Sequence, residues 1–431
     1  MPRIRIEKLI TGGRGLGRMA DGMVVMVPLV LPGELVEARI VRRLRGHLEA
    51  EATAILEPSP DRRPPPCPLH GTCGGCDLQH AAEKRQAEIK RDLLLEALQR
   101  AGISPAGPVT LLQCSRPLAY RHRVRLHLAA DAGLGFHRLR SNQVVAIAAC
   151  PVATDGINRL IRALQERAAL RRALAPCCGE IELLQSPARA HLTMVLRLRS
   201  GTGLPKKAVR MLGELAGQTG TGIVTRRGRS LRPLDPARPP LLLAQEFGAD
   251  RRYSLRWDSG CFFQANAHQN HLLVDEVCAM AGAVQGQRLL ELHCGMGNFS
   301  IPLGLRGARV TGVEQNDRSI RCAAENGSAA GLPGHRLIRA SARDALARLQ
   351  RAGERFACIV LDPPRQGLGR EISFLADLAP ERIVYVSCDP ATLARDLARL
   401  HRDNFRLSRV TAIDMFPQTH HIESVALLEK N

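Results

Sequence analysis

The run RIVYVSCDP, residues 382–390, carries Cys388 near its end, where an apolar strand would stop. Such a thiol either fills space or, as thiolate, attacks an electrophilic carbon. Three further cysteines, Cys67, Cys73 and Cys76, stand in CPLHGTCGGC, a glycine-rich loop able to wrap a centre. Three thiols this close point to a metal ion or cluster, and a closed tetrahedral zinc site or a four-iron cluster needs a fourth ligand. Cys150, followed by proline in AACPV, is the first candidate; Cys114 and the Cys177–Cys178 pair are alternatives, and His70 or His80 are conceivable donors. The spacing leaves zinc and iron-sulfur both open.

A second group of residues could hold a nucleoside. ELHCGMGNF, 291–299, places a Gly-x-Gly turn after the apolar run RLLEL, and Glu314 follows Gly295 by nineteen residues at the end of the next apolar run. Such a turn lets a ligand approach the backbone, while the carboxylate accepts hydrogen bonds from ribose hydroxyls. A full G-x-G-x-x-G and a P-loop lysine are missing. A cofactor without a pyrophosphate therefore fits better than NAD or ATP, and S-adenosylmethionine is the natural candidate. LDPPR, 361–365, ends another apolar run; its prolines cannot continue a strand ladder and turn Asp362 toward the cleft at the strands' carboxyl ends.

Four segments would position these groups. Residues 1–57 read as short strands broken by turn signals, a small β-barrel. PSPDRRPPP, 58–66, is a stiff polar linker. Residues 67–255 hold the cysteine loop, a helix over about 78–102 with Ile89, Leu93, Leu94, Ala97 and Leu98 on one face, strand-like runs and a helix near 156–173. In YRHRVRLHLAA, Arg121, Arg123 and Arg125 would share one face of a strand. Over 256–431 helices and strands alternate, the pattern of a doubly wound α/β sheet. The fold expected is multidomain α/β: a C-terminal Rossmann-like sheet, an N-terminal barrel and a central α+β domain.

Charge adds a partner. The 431 residues carry 61 basic and 41 acidic side chains, only six of the basic ones lysine, and residues 67–255 hold +15 of the net +20. Arginine grips phosphate bidentately, so a polyanion such as RNA would gather there with strongly salt-dependent affinity. No apolar run is long enough to span a membrane, and MPRIRIEKLITGG lacks the apolar core of a signal peptide. The expected location is the cytoplasm, with the thirteen cysteines reduced or metal-bound.

FFQAN at 262–266, ELHCGMGNF, GVEQN, LDPPR, VSCDP and DMFPQTHHIE at 414–423 together resemble the RNA uracil-5-methyltransferases, in order along the C-terminal part of the chain. The N-terminal barrel is similar to the OB-like TRAM domain that these enzymes often carry. The C-x5-C-x2-C loop with Cys150 is similar to the ligand set of the [4Fe-4S] cluster in the family's 23S ribosomal RNA branch. The resemblance implies Cys388 as nucleophile, Glu423 as general base, and Gln264, His293, Asn298, Glu314, Ser341 and Asp362 around S-adenosylmethionine. His293 stands where an aromatic residue is usual, Ser341 where a polar adenine contact is frequent, and Asp389 replaces the commoner Asn. It implies 5-methyluridine formation in ribosomal RNA, with transfer RNA as the alternative substrate, by a monomer with no obligate protein partner. A non-catalytic RNA-binding protein is disfavoured because Cys388, Glu423 and Glu314 are all present, and a DNA cytosine methyltransferase because its cysteine normally follows proline, whereas here Pro390 comes two residues after Cys388.

Overall fold

The computed structural model describes residues 1–237, 239–248, 252–332 and 334–431. Strands β1 (Arg3–Ile10), β2 (Arg14–Arg18), β3 (Val24–Pro28), β4 (Leu35–Leu44) and β5 (His47–Glu57) close into a barrel in the order β1-β2-β3-β5-β4. Their alternation buries Ile4, Ile6, Val25, Val27, Val36, Ala38, Leu48 and Ala50 inside. The interior is too tight for any side chain at Gly15, where a Cβ would sit 2.4 Å from Val30 Cγ2. The linker after the barrel is tied down rather than free. Arg62 and the backbone N–H of Ser59 both hydrogen-bond to Glu34, a carboxylate with no exposed surface.

Helix α1 (Glu83–Arg100) buries Ile89, Leu94 and Leu98, and is followed by the short strand β6 (Thr110–Leu112). Next, β7 (Arg123–Leu128), β8 (Leu134–His137), β9 (Val144–Ala146), β10 (Cys178–Gln185), β11 (Leu192–Leu198), β12 (Thr221–Arg227) and β13 (Ser230–Pro233) form a sheet ordered β13-β12-β11-β10-β7-β8-β9. Helices α2 (Asp155–Gln165), α3 (Ala168–Leu174) and α4 (Lys206–Thr219) cover one face with Leu160, Ile161, Leu164, Leu170, Leu174, Leu212 and Leu215. The single helix expected near 156–173 is thus two, broken at Arg167, which takes a non-helical ψ of 64°. The expected arginine row also changes. Arg121 lies ahead of β7, bridging to Ala153 and Asn266, because the strand starts only at Arg123.

Strands β14 (Leu243–Phe247) and β15 (Tyr253–Trp257) pair antiparallel and lead into the C-terminal unit. There α5 (Ala267–Ala281), β16 (Arg288–Leu292), α6 (Ser300–Leu305), β17 (Arg309–Glu314), α7 (Asp317–Ala329), β18 (Arg336–Arg339), α8 (Ala342–Arg351), β19 (Cys358–Leu361), α9 (Ser373–Asp377), β20 (Arg382–Ser387), α10 (Pro390–Arg402), β21 (Phe405–Ile413) and β22 (Glu423–Lys430) follow in turn. The sheet order is β18-β17-β16-β19-β20-β22-β21-β6. Strands β18 to β20 are parallel, and β22 is inserted antiparallel between β20 and β21. The short β6 extends the far edge beside β21, and α1 packs against α10. Two stretches that precede the central sheet are therefore built onto the C-terminal one. Among the described residues no helix is long and apolar enough to cross a membrane.

Candidate active site

The strand order reverses direction between β16 and β19, and at such a switch point the loops leaving the two strands diverge and open a crevice. The loops that leave these strands are residues 293–299 and 362–368, and Asp362 sits where β19 has ended. His293 and Gly295 both take left-handed backbone angles, φ 62° and 56°. That is strained for a histidine and natural for glycine. A Cβ at Gly295 would meet nothing within 4 Å, so its Cβ side is open. Glu314 braces this loop: one oxygen accepts the Gly295 N–H at 3.1 Å and the other the Asn316 N–H at 2.7 Å. Each oxygen keeps a further lone pair for a ribose hydroxyl.

The other expected cofactor contacts fall in different surroundings. Asn298 exchanges two 3.0 Å hydrogen bonds with Asn270 on α5. Ser341 caps α8, accepting the Asp344 N–H at 3.1 Å. Gln264 is buried and lines a cavity with the cysteine loop.

Cys388 follows β20 directly and precedes Asp389, the N-cap of α10, whose side chain accepts the Thr392 N–H at 2.9 Å; Pro390 opens the helix. Ser387 pairs with Ser424 across the β20–β22 ladder, which puts Cys388 beside Glu423. Burial pushes the Cys388 thiol up to about 11; Glu423 adds to this, while Arg365, hydrogen-bonded to the thiol, opposes it. Glu423 is buried, and burial with the neighbouring Asp362 raises its carboxyl well above the usual range, again opposed by Arg365. Burial also lifts Asp362 to about 7. The Cys388 thiol and the Glu423 carboxyl thus share one guanidinium.

The loop that follows Arg365 is held by α10, the helix just after the cysteine. Leu368 N–H and the Tyr385 hydroxyl both donate to Asp396 Oδ2 on α10, at 2.9 and 2.8 Å. Arg395 and Arg399 of the same helix donate to the carbonyls of Gln366 and Gly369, each at 2.7 Å. Gly367, at φ 74°, is required: a Cβ there would lie 2.3 Å from Asp396 Oδ2. Glu291, absent from the expected set, is a fully buried carboxyl under the glycine loop; burial pushes it up to about 8 despite a hydrogen bond from Ser300. An acid at a strand end is its only sequence signal.

Loop 414–421, which delivers Glu423, is clamped from many sides. Lys90 donates to Asp414 Oδ1 at 2.5 Å and to the Phe416 carbonyl at 2.9 Å. Tyr120 donates to the Pro417 carbonyl at 3.0 Å. The Gln418 carbonyl accepts from Asp77 and Leu78 N–H, and the His420 N–H donates to Asp77 Oδ1 at 2.8 Å. Asp77 directly follows Cys76, so the cysteine loop meets the loop that leads to Glu423. His420 and His421 serve this framework; burial first, then His420 and Arg365, lower His421 to about 4 and keep its ring neutral.

Cys67, Cys73, Cys76 and Cys150 line one cavity of ≈ 480 Å³ with Phe262, Gln264 and Arg121. Cys114 and the Cys177–Cys178 pair are buried elsewhere. Among the described residues no three His, Cys, Asp or Glu side chains converge as a group that could hold a metal ion. Of the arginines near this cavity, Arg121 lies over the Phe416 ring at 5.7 Å, Arg123 pairs with Glu182 at 2.7 Å, and Arg125 stays half exposed.

An open sheet of this order, with a glycine loop braced by the Glu314 carboxylate, defines a methyltransferase-type domain. The profile of the family described as tRNA (Uracil-5-)-methyltransferase matches residues 105–431. The chain is 35% identical to a 23S rRNA (uracil(1939)-C(5))-methyltransferase of an Azoarcus species over the full length of both chains. It is also 35% identical to the enzyme of the same name from Pseudomonas aeruginosa, covering 99% of this chain and 94% of that one. The crystal structure of the Pyrococcus abyssi tRNA (uracil-54, C5)-methyltransferase in complex with S-adenosyl-L-homocysteine superposes with a TM-score of 0.75 at 25% identity, covering 99% of this chain and 100% of that one. The chain belongs to the S-adenosylmethionine-dependent RNA (uracil-5-)-methyltransferase family.

Proposed function

We propose that this enzyme forms 5-methyluridine in 23S ribosomal RNA through a covalent adduct on Cys388. The observation that carries the reading is the meeting of Cys388, Glu423, Asp362 and Arg365 at one corner of the sheet. Carbon 5 of uracil is a weak nucleophile. Addition of Cys388 Sγ to carbon 6 shifts the ring's π pair toward oxygen 4 and makes carbon 5 an enolate carbon. S-adenosylmethionine supplies the methyl group that carbon 5 takes. Glu423 then removes the proton left on carbon 5; that C–H pair re-forms the ring double bond and expels Cys388 as thiolate. A buried carboxyl of high proton affinity suits this step once it is ionised, and Arg365 supplies the cation that favours ionisation of both groups. Asp362, Glu314 and the 293–298 loop would border the cofactor, while Gln264 would reach it from the cysteine-lined cavity and Ser341 from the cap of α8.

The target base must leave its stack or be unpaired already, as RNA recognition usually requires. The curated relatives named for 23S rRNA share more of this sequence than the archaeal enzyme named for transfer RNA, which favours the ribosomal substrate. Cys67, Cys73, Cys76 and Cys150 would hold a [4Fe-4S] cluster. Four thiols facing one cavity, three of them on a loop that ends against Gln418, are the donor set that such a core takes. When bound, the cluster would cross-link the loop to the central sheet.

Incubation with S-adenosylmethionine and separate unmodified ribosomal and transfer RNA pools, followed by nucleoside mass spectrometry, tests the reading. The expected result is 5-methyluridine in ribosomal RNA and none with Cys388→Ala. Product in transfer RNA alone would keep the chemistry and overturn the substrate. Stoichiometric zinc without iron in anaerobically prepared protein would overturn the cluster.

A further inference from the structure

A second charged cleft lies away from Cys388. It is ≈ 470 Å³ and is lined from the central sheet by Arg226, Arg229 and Leu231, and from the catalytic domain by Gly260, Gln315 to Asp317, Arg318 and Arg321. The opposing acids are few. Asp258 takes Arg318 at 3.0 Å, and Asp317 takes Arg339 at 2.6 Å. Counting Arg339, five guanidinium groups face two carboxylates. Neither catalysis nor the fold as described uses this excess.

Three features give the cleft the form of an anion site. Gly260 keeps its floor open, since a Cβ there would lie 2.5 Å from Leu231 Cδ1 and 2.7 Å from Arg318 Cδ. The N-terminus of the thirteen-residue helix α7, capped by Asn316, opens beside it and adds the helix's positive end. The charge also continues across the central sheet. Arg226 pairs in register with Arg197 on β11, and Arg125 with Glu182 on β7 and β10. Burial and the nearness of Arg197, Arg123 and Arg125, relieved only by Glu182, lower the proton affinity of Arg226. Like charges on adjacent strands oppose folding, and a bound polyanion offsets that cost. The row ends at the cysteine-lined cavity, where Arg121, Arg123, Arg125 and Glu182 are again among the lining residues.

We infer that the cleft between Arg226 and Arg229 on one side and Arg318 and Arg321 on the other binds the phosphodiester backbone of the RNA substrate. A single strand would run from there along the arginines of the central sheet toward the base-accepting crevice. Arginine forks match phosphate oxygens bidentately, and residues from two domains gripping one strand would fix their relative setting. The inference rests on the RNA-methyltransferase reading above. It adds a site away from the reacting base, bordered by Asn316, whose N–H braces Glu314.

The test uses the full chain, an unmodified 23S ribosomal RNA transcript and the double variant Arg226→Ala/Arg229→Ala. Both residues lie on the β12–β13 hairpin, outside the cofactor crevice. Binding is read by fluorescence anisotropy across a salt series, and KM and kcat by methyl transfer. Losing two phosphate contacts should flatten the slope of log affinity against log salt by about 1.4 to 1.8. KM for RNA should rise, while kcat at saturating RNA and the affinity for S-adenosylmethionine stay unchanged. Arg226→Lys/Arg229→Lys should restore most of the slope, because lysine keeps the charge. Unchanged slope and KM in the double variant would overturn the inference, and so would a selective loss of cofactor affinity, which would make the cleft part of the nucleoside site. If the unaltered enzyme fails to methylate the transcript, it is the substrate reading that falls.

Discussion

The catalytic corner and the arginine face of the central sheet are both built from charge, in opposite ways. At the corner the Cys388 thiol and the carboxyls of Asp362 and Glu423 gather, and loss of water around each raises its proton affinity. On the face, Arg125 and Arg197 are about half exposed and Arg226 partly so, with Glu180 and the buried Glu182 among them. Individual groups there are weakly coupled and only their number matters. The difference teaches where single substitutions should be felt. One residue at the corner should change the chemistry; one residue on the face should change only a slope.

The largest effect should come from the base. Glu423→Gln should lower kcat by roughly 10²- to 10⁴-fold, and, because addition precedes proton removal, denaturing electrophoresis should show RNA covalently attached to the protein. Absence of that adduct would separate Glu423 from the elimination step. Next is Arg365→Gln. With the thiol of the free enzyme at about 11, kcat/KM should climb as pH rises through the neutral range. Removing the cation raises the thiol further and moves the climb to higher pH, lowering kcat/KM at pH 7.5 by roughly 10- to 100-fold. A profile that does not move would break the proposed sharing of Arg365.

Glu291→Gln tests burial without catalysis. Its carboxyl is raised from 4.5 to about 8, so the folded protein holds a proton that the unfolded chain releases. The associated stability is full below about pH 4.5 and is lost as pH rises to about 8. The variant, which keeps an acceptor for Ser300, should therefore gain thermal stability relative to the natural protein between pH 5 and pH 9. The smallest effect belongs to Arg125→Ala. Its carboxylate partners stand at 3.8 Å and its side chain is 47% exposed, so stability should move by less than about 1 kcal/mol. The salt slope of RNA binding should fall by about 0.7 to 0.9. A large stability loss in that variant would blur the contrast between the two regions.

The parts of this arrangement that were legible in the sequence are those where one short motif does a local job. VSCDP combines a strand end, the proposed nucleophile and a helix cap within five residues, and GVEQN ends its strand on the carboxylate that braces Gly295. The barrel strands were legible from alternation, as was the burial of Ile89, Leu94 and Leu98 on α1. What escaped depends on distance. Gln418 meets Asp77, Leu78 and Gln86, more than 330 positions away, and no periodicity records that. The three residues of β6 are too few to show a period, and their pairing with β21 is settled only by the tertiary packing around them. The break at Arg167 was hidden because the apolar pattern continues from α2 into α3. Glu291 shows the same limit: a carboxyl's burial is a property of what covers it.

The position of β22 also bears on how the enzyme comes into being. The strand enters between β20 and β21, both of which precede it in the chain, and it carries Glu423 as its first residue. Until it arrives, β20 and β21 lack the neighbour that joins them and present open edges to other strands. A growing chain that has reached only β21 already holds Cys388 and the glycine loop but no base. Insertion of β22 therefore seals the sheet and brings Glu423 beside Cys388 in the same event.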